Sequence, residues 1–337
     1  MMQPQVTETQ SVVRKLVVGP RTLERNLVLA PMAGVSNLPF RLIAREAGAA
    51  LVFTETVSAT GLVRGGAKSW RLVESTPREQ PLAYQLFGAE VETLAEATRM
   101  LADRGAAFID LNLGCPVKKF ICRGAGSALM KTPARVAPIV AAMRAAIPHG
   151  VLSVKMRLGW NSESITAPEV ACVAQEEGAD FVSVHGRTRT QQYSGEADRA
   201  RIAEVVSAVR IPVLANGDIT QAQQALDMLR QTGAAGVMIG RGAMSNPWIF
   251  SQVVELAEGR PLPRPSPEQR ASLVERHMGL MIDYFGASHQ TVHLLKKYLC
   301  AYASGIPGAS RFRDHINHSH ELDRVVEDAT RFFGTAA

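Results

Sequence analysis

Residues 213–242 read VLANGDITQAQQALDMLRQTGAAGVMIGRG. Two short apolar runs, Val213–Asn216 and Gly236–Ile239, flank a helical stretch that starts after Asp218, spans Thr220–Arg230 and ends near Gly233. Parallel strands buried on both faces read as short, nearly continuous apolar runs. The segment is therefore one strand–helix–strand unit. Both strands end in polar and glycine residues, Asn216-Gly217-Asp218 and Gly240-Arg241-Gly242.

Six further runs of the same kind precede it: Leu27–Ala30, Leu51–Thr54, Leu82–Leu86, Phe108–Asn112, Leu152–Met156 and Phe181–His185. Helical patterns lie between them. Ala89–Arg104 carries an apolar stripe through Leu94, Ala97 and Leu101, Thr132-Pro133 reads as a cap followed by proline at the first helical position, and Glu169–Glu177 stops at Gly178. The stretch Glu55–Thr76 holds Gly61, Gly65 and Gly66 and reads mostly as loop. Strand and helix alternating eight times predicts an α/β fold, a (β/α)8 barrel of the TIM type. A doubly wound open sheet would need a glycine fingerprint after its first strand, and none is there.

The predicted barrel runs over 21–259, after a mobile tail at 1–20. Arg260-Pro-Leu-Pro-Arg-Pro-Ser-Pro267 then has proline at every second position, an extended and stiff linker. Ser266, Pro267 and Gln269 form a helix start of the capping-box type. Helical stretches near 267–285, 289–303 and 319–333 predict a small all-helical C-terminal domain over 260–337. Six of the eight histidines fall there, between His277 and His320, without metal-ligand spacing.

With 337 residues, 46% of them hydrophobic and 20% charged, the chain has an ordinary globular composition. No apolar run is long enough for a bilayer and the first residues carry no secretion signal, so a soluble cytoplasmic protein is expected. The four cysteines, Cys115, Cys122, Cys172 and Cys300, form neither a disulfide framework nor a zinc pattern. The net charge is +6, and Leu111–Ser162 holds eight basic residues and no acidic one. That stretch reads equally as a solvated face or as a surface for a polyanion.

Active sites of such barrels sit at the C-terminal ends of the strands. In order, those ends offer Pro31-Met32-Ala33-Gly34, Gln85, Asn112-Leu-Gly-Cys115-Pro, Lys155-Met-Arg157, His185-Gly-Arg187, Asn216-Gly-Asp218 and Gly240-Arg241-Gly242. A histidine ending a strand is more often a satisfied core group, and N-G-D is more often a turn. Seven such ends in register are harder to assign to chance. The glycine-rich ends after strands seven and eight suit a phosphate, and Lys155 and His185, facing inward, suit the rest of a phosphorylated cofactor. The residues alone do not name that cofactor.

Leu29-Ala-Pro-Met-Ala-Gly-Val35, Leu111-Asn-Leu-Gly-Cys-Pro116 with Gly124-Ala-Gly-Ser-Ala-Leu-Met130, Val154-Lys-Met-Arg157, His185-Gly-Arg-Thr-Arg189 and Ala215-Asn-Gly-Asp218 together resemble the tRNA-dihydrouridine synthases, in particular the bacterial B subgroup. The resemblance implies an oxidoreductase with a barrel that holds FMN and a helical tRNA-binding domain. It implies reduction of the C5–C6 double bond of specific tRNA uridines to 5,6-dihydrouridine, with NADPH or NADH as reductant. By motif position, Pro31, Met32, Ala33, Gln85, Lys155, His185, Asn216, Gly217, Asp218, Gly240 and Arg241 would contact FMN. Asn112 would help hold the uracil and Cys115 would donate the proton. Lys118, Lys119, Arg123, Arg157, Arg187, Lys296, Lys297 and Arg311 are the basic candidates for holding the RNA. Neither a metal, a membrane nor an obligatory protein partner is expected. A thiol with a pKa of roughly 8.5 is still mostly protonated at neutral pH, which suits an acid. Two rival readings are a flavin barrel acting on a free pyrimidine and an RNA-binding protein without catalysis. The first does not need the C-terminal helices, and the second does not need Cys115, Lys155 and His185.

Overall fold

The computed structural model describes residues 11–262 and 264–335. Eight strands form the barrel: β1 (Leu27–Leu29), β2 (Val52–Phe53), β3 (Leu82–Phe87), β4 (Phe108–Asn112), β5 (Val151–Arg157), β6 (Phe181–His185), β7 (Val213–Asn216) and β8 (Gly236–Ile239), and a ninth, two-residue strand of the same sheet, Val57–Ser58, pairs with the end of β3. They pair in parallel in the order β1-β8-β7-β6-β5-β4-β3-β2. The ring closes where the Leu29 amide donates to the Leu51 carbonyl (2.9 Å) and the Ala50 amide to that of Leu27 (2.8 Å). The helices that follow the strands are α1 (Leu38–Glu46), α2 (Ala59–Val63), α3 (Val91–Ala102), α4 (Val136–Ala146), α5 (Ala167–Glu176), α6 (Arg199–Ala208), α7 (Ala222–Thr232) and α8 (Ile249–Ala257). This is the (β/α)8 barrel that the alternation predicts.

Two local expectations change. The stretch read as loop carries α2 and a second short helix, Ala67–Leu72, because the Ser58 hydroxyl accepts the Gly61 amide and starts a turn. Thr132 makes no side-chain cap. A 3-10 turn, Pro133–Arg135, comes between it and α4.

Side chains alternate along each strand, and the alternation sorts them into two layers. Leu152, Val154 and Met156 of β5 point outward, into the apolar layer under the helices. The inward row of the lower barrel is Phe108, Val151, Phe181 and Leu214, sealed by Leu16, Val18 and Leu23. These three belong to a hairpin in which Leu16–Val18 pairs with Arg21–Leu23. The expected mobile tail covered 1–20. Of that segment, residues 1–10 lie outside the described residues, whereas Leu16 and Val18 are buried. Burying a Val or Leu side chain contributes roughly 1.5–3 kcal/mol, which is what holds the hairpin against the barrel floor.

Beyond Gly259 come α9 (Pro267–Phe285), α10 (His289–Tyr302), α11 (Ala309–His318) and α12 (Leu322–Thr335). Pro263 of the expected linker lies outside the described residues. Ser266 forms the capping box, its hydroxyl accepting the Gln269 amide (3.2 Å). α11 is absent from the sequence-based prediction. It has no side-chain cap and starts at Gly308, after a proline, where the sequence reads as a turn. Its apolar face, Ala309, Phe312 and Ile316, is completed by Phe312 stacking on Phe332 of α12 (4.2 Å). The helices pack on the barrel through α1: Tyr298 stacks on Phe40 (5.3 Å), accepts from the Asn37 side chain (3.0 Å) and donates to the Val35 carbonyl.

Candidate active site

The upper inward row of the barrel is polar. Asp110, Ser153 and Ser183 form one layer, and Asn112, Lys155, His185 and Asn216 lie above it at the C-terminal strand ends. Register brings Asn112 beside Lys155 and His185 beside Asn216. The Asn216 amide donates to the Met238 carbonyl (2.7 Å), which turns its oxygen toward the Lys155 ammonium (3.4 Å). Burial, then the Arg157 charge, lowers Lys155 to about 8. Burial, followed by Lys155, Arg157, Arg187 and Arg241, holds His185 neutral, down to about 2.

The loop after β7 interlocks with both its neighbours, the loops after β6 and β8. Gly217 has φ +135°, and a Cβ there would lie 2.5 Å from the Ala197 methyl. A Cβ on Gly242 would lie 2.2 Å from the Ile219 carbonyl oxygen. Asp218 is held at φ 51° by the double hydrogen bond of Arg187 to its carboxylate (2.8 and 2.7 Å) and by the Ala197 amide (2.8 Å). The short helix Arg241–Ser245 starts here without a side-chain cap.

On the opposite wall, the Asn112 side-chain oxygen accepts the amides of Gly114 and Cys115, both at 2.9 Å. The Cys115 carbonyl accepts from the Ser127 hydroxyl (2.9 Å) and amide (3.2 Å). Arg157 donates to the carbonyls of Gly114, Thr188 and Gln192, tying this loop to the one after β6. Burial raises the Cys115 thiol above its ordinary value, against the weaker pull of the Val117 amide, Arg157 and Lys155, so the thiol stays protonated at neutral pH.

These walls enclose a cavity of about 790 Å³. Pro31, Met32, Ala33, Gln85, Lys155, His185, Asn216, Gly217, Asp218, Gly240 and Arg241 all line it, and so do Asn112, Cys115 and Arg157. Two expectations are altered by the geometry. Arg187 does not face the cavity: its guanidinium is buried against Asp218, the Ser194 carbonyl and the Gly195 carbonyl. Asn112 reaches the cavity, but its amide is fully engaged. The nitrogen donates to Gln85 (2.8 Å) and Thr56 (3.2 Å), and the oxygen holds the two loop amides.

The basic stretch 111–162 is not one surface. Lys155 and Arg157 are inside, Arg144 is bonded to Asp180 (2.9 Å) at the opposite end of the strands, and Lys131 lies over the Trp160 ring (3.7 Å). The side chains of Lys118 and Lys119 lie outside the described residues, and Arg123 is exposed. Lys297 donates to the Gly34 carbonyl (2.9 Å) beside Ala33, Lys296 to that of Asn317 (3.1 Å), and Arg311 is exposed. Sequence reading missed Tyr193, an exposed aromatic at the cavity mouth under the Arg241 guanidinium (4.4 Å). It sits in the loop after a strand, and that position was the signal. Among the described residues no cluster suits a metal ion, and no helix is long and apolar enough to cross a membrane.

A cavity so placed makes the protein an enzyme of the α/β-barrel class, working at the face where such barrels carry their chemistry. The family profile described as dihydrouridine synthase (Dus) matches residues 28–336. The tRNA-dihydrouridine synthase B of Xanthomonas axonopodis pv. citri is 39% identical over 317 residues, 94% of this chain and 95% of that protein. The Pseudomonas aeruginosa protein of the same name is 37% identical over 325 residues, 96% of each. The chain belongs to the dihydrouridine synthase family, on its bacterial B-type branch. An old yellow enzyme homologue from Zymomonas mobilis is similar in fold, with a TM-score of 0.56 at 12% identity over 77% of this chain and 96% of that one.

Proposed function

We propose that this chain reduces the C5–C6 double bond of tRNA uridines to 5,6-dihydrouridine, with FMN in the barrel cavity and NADPH or NADH as reductant. The observation that carries the reading is the placement of Cys115, a thiol kept protonated by burial, in the same cavity as every residue expected to hold the flavin.

The residues fit FMN. The cavity is in the size range of a cofactor site. The loops of Gly217 and Gly242 come closer than a side chain allows and offer a phosphate the start of a helix beside Arg241. Gln85, Lys155 and Asn216 present polar groups to a ring system, with the Lys155 cation suited to negative charge on it. Reduced flavin bound there supplies the hydride. The protein's own part is to orient the base and to deliver the proton from the Cys115 Sγ. Asn112 serves by fixing the Cys115 loop, and Arg157 by clamping that loop from below.

Residues 21–259 are the catalytic part and 260–337 the RNA-holding part in this reading, and the protein works in the cytoplasm. His289, His293, Lys296, Lys297 and His320 line a surface cavity of about 490 Å³ whose lining includes no carboxylate, which suits an RNA phosphate. Arg123 and Arg311 extend the basic surface. Tyr193 offers a ring to a base lifted from its stack, which costs a few kcal/mol.

The test separates the half-reactions under anaerobic conditions. Replacing Cys115 with Ala should leave flavin content and bleaching by NADPH intact and slow reoxidation by tRNA by roughly 10²–10⁴-fold. Reoxidation of the wild type by free uracil as fast as by tRNA would instead favour the free-pyrimidine reading. A purified protein that takes up no flavin would end the proposal.

A further inference from the structure

One buried carboxylate in the barrel has no place in the chemistry above. Asp110 is fully buried on the inward row of β4, one step below Asn112. Its Oδ1 accepts from the Ser153 hydroxyl (2.6 Å) and its Oδ2 from the Gln85 Nε2 (2.7 Å). The Gln85 Oε1 accepts from the Asn112 Nδ2 (2.8 Å), and the Asn112 Oδ1 accepts the amides of Gly114 and Cys115. Four hydrogen bonds thus run in one direction, each donated from the side of the cysteine loop toward the carboxylate in the barrel interior.

The direction matters because a side-chain amide is nearly isosteric with its flipped form. Only its partners decide which end is the oxygen. Burial raises Asp110 to about 7, so at pH 8 its carboxylate is ionised and can only accept. It therefore draws the nitrogen of Gln85, leaves the oxygen of Gln85 for Asn112, and leaves the oxygen of Asn112 for the loop. Reverse the first link and every later one reverses. The nitrogen of Asn112 would then face two backbone N–H groups, donor against donor.

We propose that Asp110 is a positioning residue whose carboxylate sets the polarity of the Gln85–Asn112 hydrogen-bond chain and thereby holds the Cys115 loop in place. Its bearing on catalysis rests on the reading of Cys115 as the acid. The chain itself does not, so its test reads the thiol and the fold and requires no turnover.

The test uses Asp110→Asn, Asn112→Asp and the double variant Asp110→Asn/Asn112→Asp, which moves the carboxylate two residues along the strand. Cys115 alkylation by iodoacetamide at pH 8 and the thermal midpoint are measured, with alkylation assigned to Cys115 by peptide mapping. Asp110→Asn can donate to Gln85 and permits the reversed chain. Alkylation should quicken by about tenfold, the factor that corresponds to about 1.4 kcal/mol or one net hydrogen bond. Asn112→Asp faces two carboxylates across one amide and should be impaired as well. In the double variant Gln85 flips, the carboxylate now at position 112 accepts from Gln85 and from both loop amides, and thermal midpoint and alkylation rate should return toward wild type. A residue that merely fills space would not be rescued by moving its charge. The inference is overturned if Asp110→Asn alkylates and melts as wild type, or if the double variant is no better than the worse single one, including the case in which all three fail to fold. Loss of tRNA reduction with the rescue intact would count against the reading of Cys115 alone.

Discussion

His185 and His277 are both held neutral, for different reasons, and the difference can be measured. His185 is buried beside four cations. His277 is lowered to about 3 by burial alone, its ring packed on Tyr298 (4.5 Å) and its Nδ1 paired with the Tyr302 hydroxyl (2.9 Å). A histidine depressed in the folded state takes up its proton only on unfolding between about pH 6.5 and pH 3. Its contribution is fully present above 6.5 and falls with pH, by up to about 1.4 kcal/mol per unit. Asp110 has the opposite sign. Burial raises it to about 7, so acid relieves its desolvation. Replacing His277 with Phe should flatten the loss of stability between pH 7 and pH 5. Denaturation midpoints that fall in parallel for wild type and variant would assign that loss to other groups.

At the scale of elements, the hairpin Leu16–Leu23 is the barrel's floor, and its turn fixes its seat. Gly19 has φ +53°, and a Cβ there would meet the Asp180 carboxylate at 2.2 Å. Asp180 cannot yield freely, since it holds Arg144 and the Leu152 amide. Gly19→Ala should therefore cost about 1–3 kcal/mol in urea unfolding, with flavin content at the other end of the barrel unchanged. Unchanged stability would show that the hairpin can lift away. No such role was legible in the sequence, where three-residue strands at the end of a polar segment carry too little pattern to register. The eight barrel strands were legible because burial on both faces leaves a continuous apolar run. The strand ends were legible because the last inward position is where a buried row turns polar. Asp110 lies on that same row one step deeper, and alternation from Phe108 to Asn112 already pointed it inward. What a linear pattern does not carry is direction beyond the strand: Arg187 follows His185 in the motif yet turns away from the cavity to Asp218.

For the whole molecule, the proposed RNA path follows the cavity rim and the C-terminal helices, away from the barrel floor. Lys296→Ala and Arg311→Ala should each reduce the salt slope of tRNA binding by about one unit and leave flavin bleaching untouched. Arg144, bonded to Asp180 at the strands' N-terminal ends, is the internal control, and its replacement should leave the salt slope of the folded protein as it was. Equal slopes for all three variants would place the RNA elsewhere. The interlocked loops after β7 and β8 have a consequence of another kind. Barrel enzymes diversify by altering one loop at a time on an unchanged frame. Here the backbone of one loop occupies the space a side chain of the other would need, at Gly242 against Ile219. A side chain at Gly242 would force the loop after β7 to shift. The loop that carries Tyr193 is pinned in the same way, through Ala197 against Gly217, so the three loops change shape together and the C-terminal helices are the freer part of the rim.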